Sequence, residues 1–272
     1  MLIAQITDTH IRPGDVLMSG MVDTTPFLER CVQRVNEQLP HPDVALITGD
    51  LVDTGLPEEY ARLRAMLRKL PCPYYVIPGN HDDREALRAA FLPDGYLPKT
   101  GYLQYVVESF PLRLIALDSL LPGHTGGRLC EERLAWLDAR LAEAPTRPTV
   151  LYIHHPPFDT GIGWLDVNPL EGAAAFAAVV RKHTQVERVL CGHIHRPIQV
   201  RWAGTMATTS PATAHQVPLD LRPGGASGFA MEPSAYQVHL WRPEAGLISH
   251  TVYCAAYPGP FSFRKAKTAA AD

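Results

Sequence analysis

Seven side chains with good metal-binding atoms fall in five short motifs of the 272-residue chain. The motifs are Asp8-Thr9-His10, Gly49-Asp50, Gly79-Asn80-His81-Asp82, His154-His155-Pro156-Pro157 and Gly192-His193-Ile194-His195. Asp8, His10, Asp50, Asn80, His154, His193 and His195 together form a set of oxygen and imidazole donors without a thiolate. Such a set suits two divalent transition ions per subunit, of the Fe, Mn, Zn or Co kind, that share one carboxylate. Asp50 has the two oxygens a bridge requires, and Asn80 supplies a neutral oxygen that limits the negative charge an anionic substrate would meet. The chemistry expected is attack of a metal-bridging hydroxide on a phosphate ester. Two ions about 3.5 to 4 Å apart lower the pKa of the shared water and offset charge on the attacking and leaving oxygens. No protein nucleophile is needed.

Each motif follows an apolar run that reads as a strand: residues 2–7, 44–48, 74–77, 149–153 and 186–191. The ligands are therefore expected at one end of a sheet, where open α/β sheets bind their ligands. In Asp8-Thr9-His10 and in His193-Ile194-His195, an extended backbone would turn residues i and i+2 to one side. Glycines before Asp50, Asn80 and His193 allow close backbone approach with no Cβ in the way. Helices are expected over 25–39, 57–70, 131–143 and 171–183, with another beginning near Asp83. Residues 102–107 and 112–117 read as paired strands, 198–202 and 204–209 as a hairpin, and 236–241 and 247–253 as closing strands. Between them, 218–233 is rich in Pro, Gly and Ser, the composition of a binding loop or lid.

The motif order D-x-H, G-D, G-N-H-D, H-x-P, G-H-x-H resembles the calcineurin-like metallophosphoesterase superfamily over residues 8–195. That resemblance implies an α/β fold, a four-layer αββα sandwich of two mixed sheets flanked by helices. It implies one metal on Asp8, His10, Asp50 and His195, and a second on Asp50, Asn80, His154 and His193. It also implies that His81 acts on the phosphoryl group. Within the superfamily, Gly79-Asn80-His81-Asp82-Asp83 and His154-His155-Pro156-Pro157 look closest to bacterial glycerophosphodiesterases and class III cyclic-nucleotide phosphodiesterases. His215, in Ala214-His215-Gln216-Val217, resembles a segment near the substrate in the former, so Asn80, His81 and His215 are the candidate substrate contacts. Purple acid phosphatases place a tyrosine three residues after the bridging aspartate, and Asp53 stands there instead.

The expected activity is hydrolysis of small phosphodiesters. A phosphomonoesterase or nucleotide pyrophosphatase on the same site is the alternative, because the metals read the phosphate and the fold does not choose the alcohol. A non-catalytic scaffold would be expected to lack ligands, and every position is filled. The net charge of −3 and the absence of a Lys/Arg run disfavour long nucleic acids as partners. Five cysteines without a C-x-x-C pair give no disulfide framework. With no basic leader and no apolar run near ~18 residues, no membrane partner is expected and a soluble cytoplasmic protein is. Residues 1–200 read as the catalytic core, 201–263 as its last strands with a cap or oligomerisation segment, and 264–272 as a flexible tail. A homo-oligomer, dimer or higher, is expected. His155 should point away from its neighbour's ligand position and pack. His41, His124, His183, His239 and His250 read as ordinary residues.

Overall fold

The computed structural model describes residues 1–14 and 16–263, so the tail expected at 264–272 lies outside the described residues. The first sheet contains β1 (Leu2–Ile6), β2 (Val44–Ile47), β3 (Tyr74–Val76), β10 (Ala235–Arg242) and β11 (Gly246–Tyr253), in the order β11-β10-β1-β2-β3. The second contains β4 (Tyr105–Val107), β5 (Arg113–Ala116), β6 (Thr149–Ile153), β7 (Val186–Cys191), β8 (Gln199–Trp202) and β9 (Thr205–Thr209), in the order β4-β5-β6-β7-β9-β8. Both are mixed. Parallel neighbours β1-β2-β3 and β5-β6-β7-β9 form the centres, and antiparallel strands close the edges.

Strand alternation shows how the layers stack. In β6, Val150 and Tyr152 join the core shared with the first sheet, whereas Leu151 and Ile153 join the core under α4 (Glu131–Ala142) and α6 (Ala173–Arg181). In β5, Leu114 and Ala116 separate from Ile115 in the same way. Outside the first sheet lie α1 (Thr25–Glu37), α2 (Pro57–Leu67) and α3 (Arg84–Phe91). α1 starts with proline in its first turn and buries Leu28, Cys31, Val32 and Val35, the i, i+3, i+4, i+7 stripe of a core-facing helix. The α3 N-terminus is capped by the Asp83 carboxylate, which accepts from the Ala86 N–H at 2.8 Å. Polar ties also cross between the sheets. Buried Gln5 on β1 donates to the Cys191 carbonyl at the end of β7, and Tyr105 donates to the Val76 carbonyl at 2.6 Å.

Three expectations need correction. The five ligand-bearing strands do not share one sheet: β1, β2 and β3 belong to the first, β6 and β7 to the second. The site is thus built across the sandwich. The helix expected over 57–70 ends at Leu67, after which the Lys69 and Leu70 N–H groups bond to carbonyls three residues back in a tightened last turn. The helix expected from 171 begins at Ala173 because Gly172 takes φ 87, while Glu171 pairs with Arg128 in an isolated parallel bridge. Within 201–263, β9 and β10 complete the two sheets, β9 beside β7 and β10 beside β1. Between Gln216 and Ala235 the chain is irregular apart from one bridge, Gln216 to Ala230. Among the described residues no helix is long and apolar enough to cross a membrane.

Candidate metal centre

The ligand residues stand just beyond their strands in loops with an uncommon backbone. Asp8, His10, Asp50, His193 and His195 all take positive φ, between 42 and 69°. Only two other non-glycine residues among those described do so, Ser19 and Ala203, so the conformation is concentrated at the cluster. Aspartate and histidine are among the side chains that tolerate this region best. The expected extended alternation of Asp8 and His10, and of His193 and His195, is therefore not what turns each pair inward. Left-handed residues at i and i+2 do. The first two loops stay paired beyond the sheet, with Asp8 N–H on the Gly49 carbonyl and His10 N–H on the Asp50 carbonyl, both at 3.0 Å.

Asp8, His10, Asp50 and His195 bring one ligand atom each to within 4.8 Å of one another. His195 Nε2 lies 3.2 Å from Asp8 Oδ1 and 3.3 Å from His10 Nε2, which is 3.7 Å from Asp50 Oδ2. On the other side of Asp50, His154 Nε2 is 3.4 Å from Oδ2 and 3.2 Å from Asn80 Oδ1. His193 stacks edgewise on His154, ring centroids 5.2 Å apart, and its backbone N–H donates to both Asp8 oxygens. All seven predicted ligand residues are thus gathered around Asp50.

The imidazole tautomers decide what this gathering can hold. His195 Nδ1–H donates to the His215 carbonyl at 3.0 Å, and His154 Nδ1–H to the Thr48 carbonyl at 2.8 Å. Each ring therefore turns a lone pair at Nε2 toward oxygens that can only accept, the arrangement in which a cation is the missing partner. Asp8 and Asp50 are buried near each other, and among the described residues their only ion-pair partners are histidines. Burial pushes the Asp8 carboxyl up, but the charge and hydrogen bond of His195, joined by His154, hold it at about 2. Burial likewise opposes a charged His154, yet Asp50 and Asp8 lift its pKa to about 9. Burial and the charge on His154 press His193 down to about 3, leaving it a neutral donor. The site therefore attracts positive charge at the same nitrogens whose partners are already fixed. A divalent ion supplies that charge with both rings neutral.

Glycine spacing proves to be about ligand packing. A Cβ on Gly79 would collide with the Asp50 backbone nitrogen and carboxylate, and one on Gly192 would collide with Thr7 and lie 2.7 Å from the Thr48 carbonyl. Gly79→Ala is therefore expected to push Asp50 aside. Overpacking of this kind costs about 1–3 kcal/mol, so the fold should survive with a lowered melting temperature while elemental analysis shows loss of bound metal. Full metal content in that variant would count against the close approach.

His81 lines the cleft with its side chain 40% exposed; its N–H donates to Asp50 Oδ1 and its Nδ1–H to the Asp53 carbonyl, both at 2.9 Å. His215 packs between His195, His10 and Phe229, and burial followed by those two histidines depresses its pKa to about 2. His155 spends both nitrogens, Nε2–H donating to the Thr125 carbonyl and Nδ1 accepting from Ser119, as a packed residue does, but its ring does not point away from the ligands: it lies against His154 and His193, with centroids 4.8 and 4.7 Å apart. Two residues escaped the sequence reading. Asp53 lies 3.4 Å from His10 Nδ1, 3.6 Å from His81 Nδ1 and 3.4 Å from Arg12. Asp82 accepts from Gly79 N–H, Leu51 N–H and Tyr60 O–H, clamping the loop that carries Asn80. Its place in G-N-H-D was the available signal.

A sandwich of two mixed sheets with carboxylates and imidazoles converging across it defines a hydrolase of phosphate esters, and residues 1–197 match the family model of the calcineurin-like phosphoesterases. The protein belongs to that family. It is 39% identical to a probable glycerophosphodiester phosphodiesterase, GpdQ, of Arcobacter nitrofigilis over 98% of both chains. It is 37% identical to a probable cyclic nucleotide phosphodiesterase of Rhodopseudomonas palustris, covering 87% of this chain and 86% of that one. Among solved structures, a dimetal phosphatase of Danio rerio shares the fold with a TM-score of 0.59 at 15% identity, over 94% of this chain and 99% of the other.

Proposed function

We propose that the protein hydrolyses small phosphodiesters, of the glycerophosphodiester or cyclic-nucleotide type, with two divalent transition ions drawn from Mn, Fe, Co and Zn. Asp8, His10, Asp50 and His195 would hold one ion, and Asp50, Asn80, His154 and His193 the other. The observation that carries the reading is the convergence of Nε2 lone pairs from His154 and His195 on Asp50, Asn80 and Asp8, each ring fixed by a backbone carbonyl. When bound, the ions supply Lewis acidity toward phosphoryl oxygens and bring the pKa of a water near neutrality. The chain's own part is to orient the ester over the cluster and to manage one proton. His81 is the cleft residue placed for that transfer, and neutral His215 forms the wall beside His10 and His195.

Diester preference is supported by the names of the relatives and tested directly. Bis(4-nitrophenyl) phosphate and 4-nitrophenyl phosphate are compared at equal concentration with the metal-loaded protein. The diester should show a kcat/KM at least about tenfold higher, roughly 1.4 kcal/mol in the barrier. A clear preference for the monoester would replace this reading with the phosphatase one.

A further inference from the structure

We infer that the preferred diester is amphiphilic, with one alcohol carrying a long apolar chain that runs up the cleft wall to its mouth. The inference rests on the diesterase reading above and concerns the part of the substrate that the metals do not touch. The cleft over the candidate metal centre has a volume of about 470 Å³ and a polar floor made of the histidines, Asp50 and Asn80. Its walls change character. Met18, Trp164, Leu165, Val217 and Phe229 line it above the floor, contributed by three separate segments. Phe229 also packs on Met18, Val22 and Ala214 in a small core of its own, which anchors that side of the wall.

The apolar character continues outward on the same segments. Among the described residues fourteen large apolar side chains are exposed, and seven of them are chain neighbours of the wall residues on these three segments. Val16, Leu17 and Met21 flank Met18; Val167 follows Leu165; Leu219, Leu221 and Met231 flank the 217–229 stretch. The segments meet, since a Cβ on Gly161 would touch Leu221 at 3.5 Å. Charge is nearly absent along them. Residues 16–22 carry none, Asp166 is held by Thr160 and the Gly161 N–H, and Asp220 pairs with Arg222. An anionic membrane surface would call for unpaired basic groups, and none stands on these three segments. An apolar wall over a polar floor, built by the three segments that also carry half of the exposed apolar side chains, fits a ligand with a phosphate at one end and a hydrocarbon at the other.

The test uses glycerol n-alkyl phosphodiesters, ethyl through decyl, kept below micelle onset and given to the metal-loaded full chain. kcat/KM should rise roughly two- to fourfold per added methylene while the chain is on the wall, the range set by burial of a methylene, and then level off. Trp164→Ser combined with Phe229→Ser should bring that rise close to onefold per methylene. Leu219→Ser with Leu221→Ser, at positions 59% and 61% exposed and so safe for the fold, should make the rise level off at shorter chains. A wild-type protein that cleaves the ethyl ester with no gain from longer chains overturns the apolar seat and leaves the diesterase reading standing. Failure to cleave any member of the series overturns both. A rate that climbs only at micelle onset, or co-sedimentation with phosphatidylcholine vesicles, assigns the rim to an assembled lipid surface instead and overturns the single-chain seat. Rim variants that change the sedimenting mass while the chain-length gain persists make the rim an interface between copies, which also overturns it.

Discussion

Asp50→Ala is expected to abolish binding of both metals and to lower kcat/KM for a diester by roughly three to four orders of magnitude, about 4–5.5 kcal/mol of barrier. Among the described residues no other carboxylate pairs with imidazole nitrogens of both halves of the cluster. Asp50 Oδ2 lies 3.7 Å from His10 Nε2 and 3.4 Å from His154 Nε2, while Oδ1 accepts from the His81 N–H. Removing it unties the first ligand group, the second, and the loop that carries the proposed proton donor. Asp8→Ala is the informative comparison, because Asp8 pairs with His195 and accepts from the His193 backbone N–H, but among the described residues it forms no hydrogen bond or ion pair with Asn80 or the His154 ring. That variant should lose the ion proposed on Asp8 and keep the other. Elemental analysis of the two variants, purified under identical metal supply, decides the matter. An Asp50→Ala protein with two ions and normal turnover would refute the bridging role, and identical metal loss from both variants would refute the distinction between the sites.

The ligand identities were legible because each follows an apolar strand, buried over most of its length in every case but β3. An apolar run ending at a carboxylate or imidazole is visible in one dimension, as in Leu2–Ile6 before Asp8 or Thr149–Ile153 before His154. Which sheet receives a strand is not visible, since β2 and β6 have the same buried pattern. The membership of β6 and β7 in a second sheet follows from long-range pairing with β5 and β9, not from their own composition. Backbone sign was also hidden. Asp-x-His fits an extended chain as readily as it fits two left-handed residues separated by one ordinary one, and only the pairing of loop to loop selects the second. In the sequence Asp53 marks only the position where a purple acid phosphatase has tyrosine, and the fold is what sets it against both His10 and His81. The cleft wall was least legible of all. Trp164 sits on a four-residue helix, Gly163–Asp166, and Phe229 in irregular chain, neither long enough to show a period.

His81→Ala should keep both metals and lose kcat, by about 10²- to 10⁴-fold on alkyl esters, the usual worth of a positioned proton donor. Metal retention is expected because the contact His81 makes with Asp50 is through its backbone N–H, which alanine preserves. The side chain does something else. With Nδ1–H committed to the Asp53 carbonyl, the nitrogen left for the cleft is Nε2, and the ring is held edge-on to His10 at a centroid distance of 4.6 Å. Burial disfavours its charged form, but the Asp50 charge, the Asp53 carbonyl and the Asp53 carboxylate outweigh this and raise its pKa above the ordinary histidine value. In the metal-free protein the acid form therefore persists above pH ~6.5; with ions on Asp50, the two Asp53 contacts are what favour it, and wild-type kcat on alkyl esters should fall on the alkaline side as His81 loses that proton. The variant should lack that limb. Its defect should also shrink for nitrophenyl esters, whose leaving group departs without a proton. Equal impairment on both kinds of ester, with the pH profile unchanged, would reduce His81 to a phosphate-binding residue, and loss of a metal from the variant would overturn the assignment altogether.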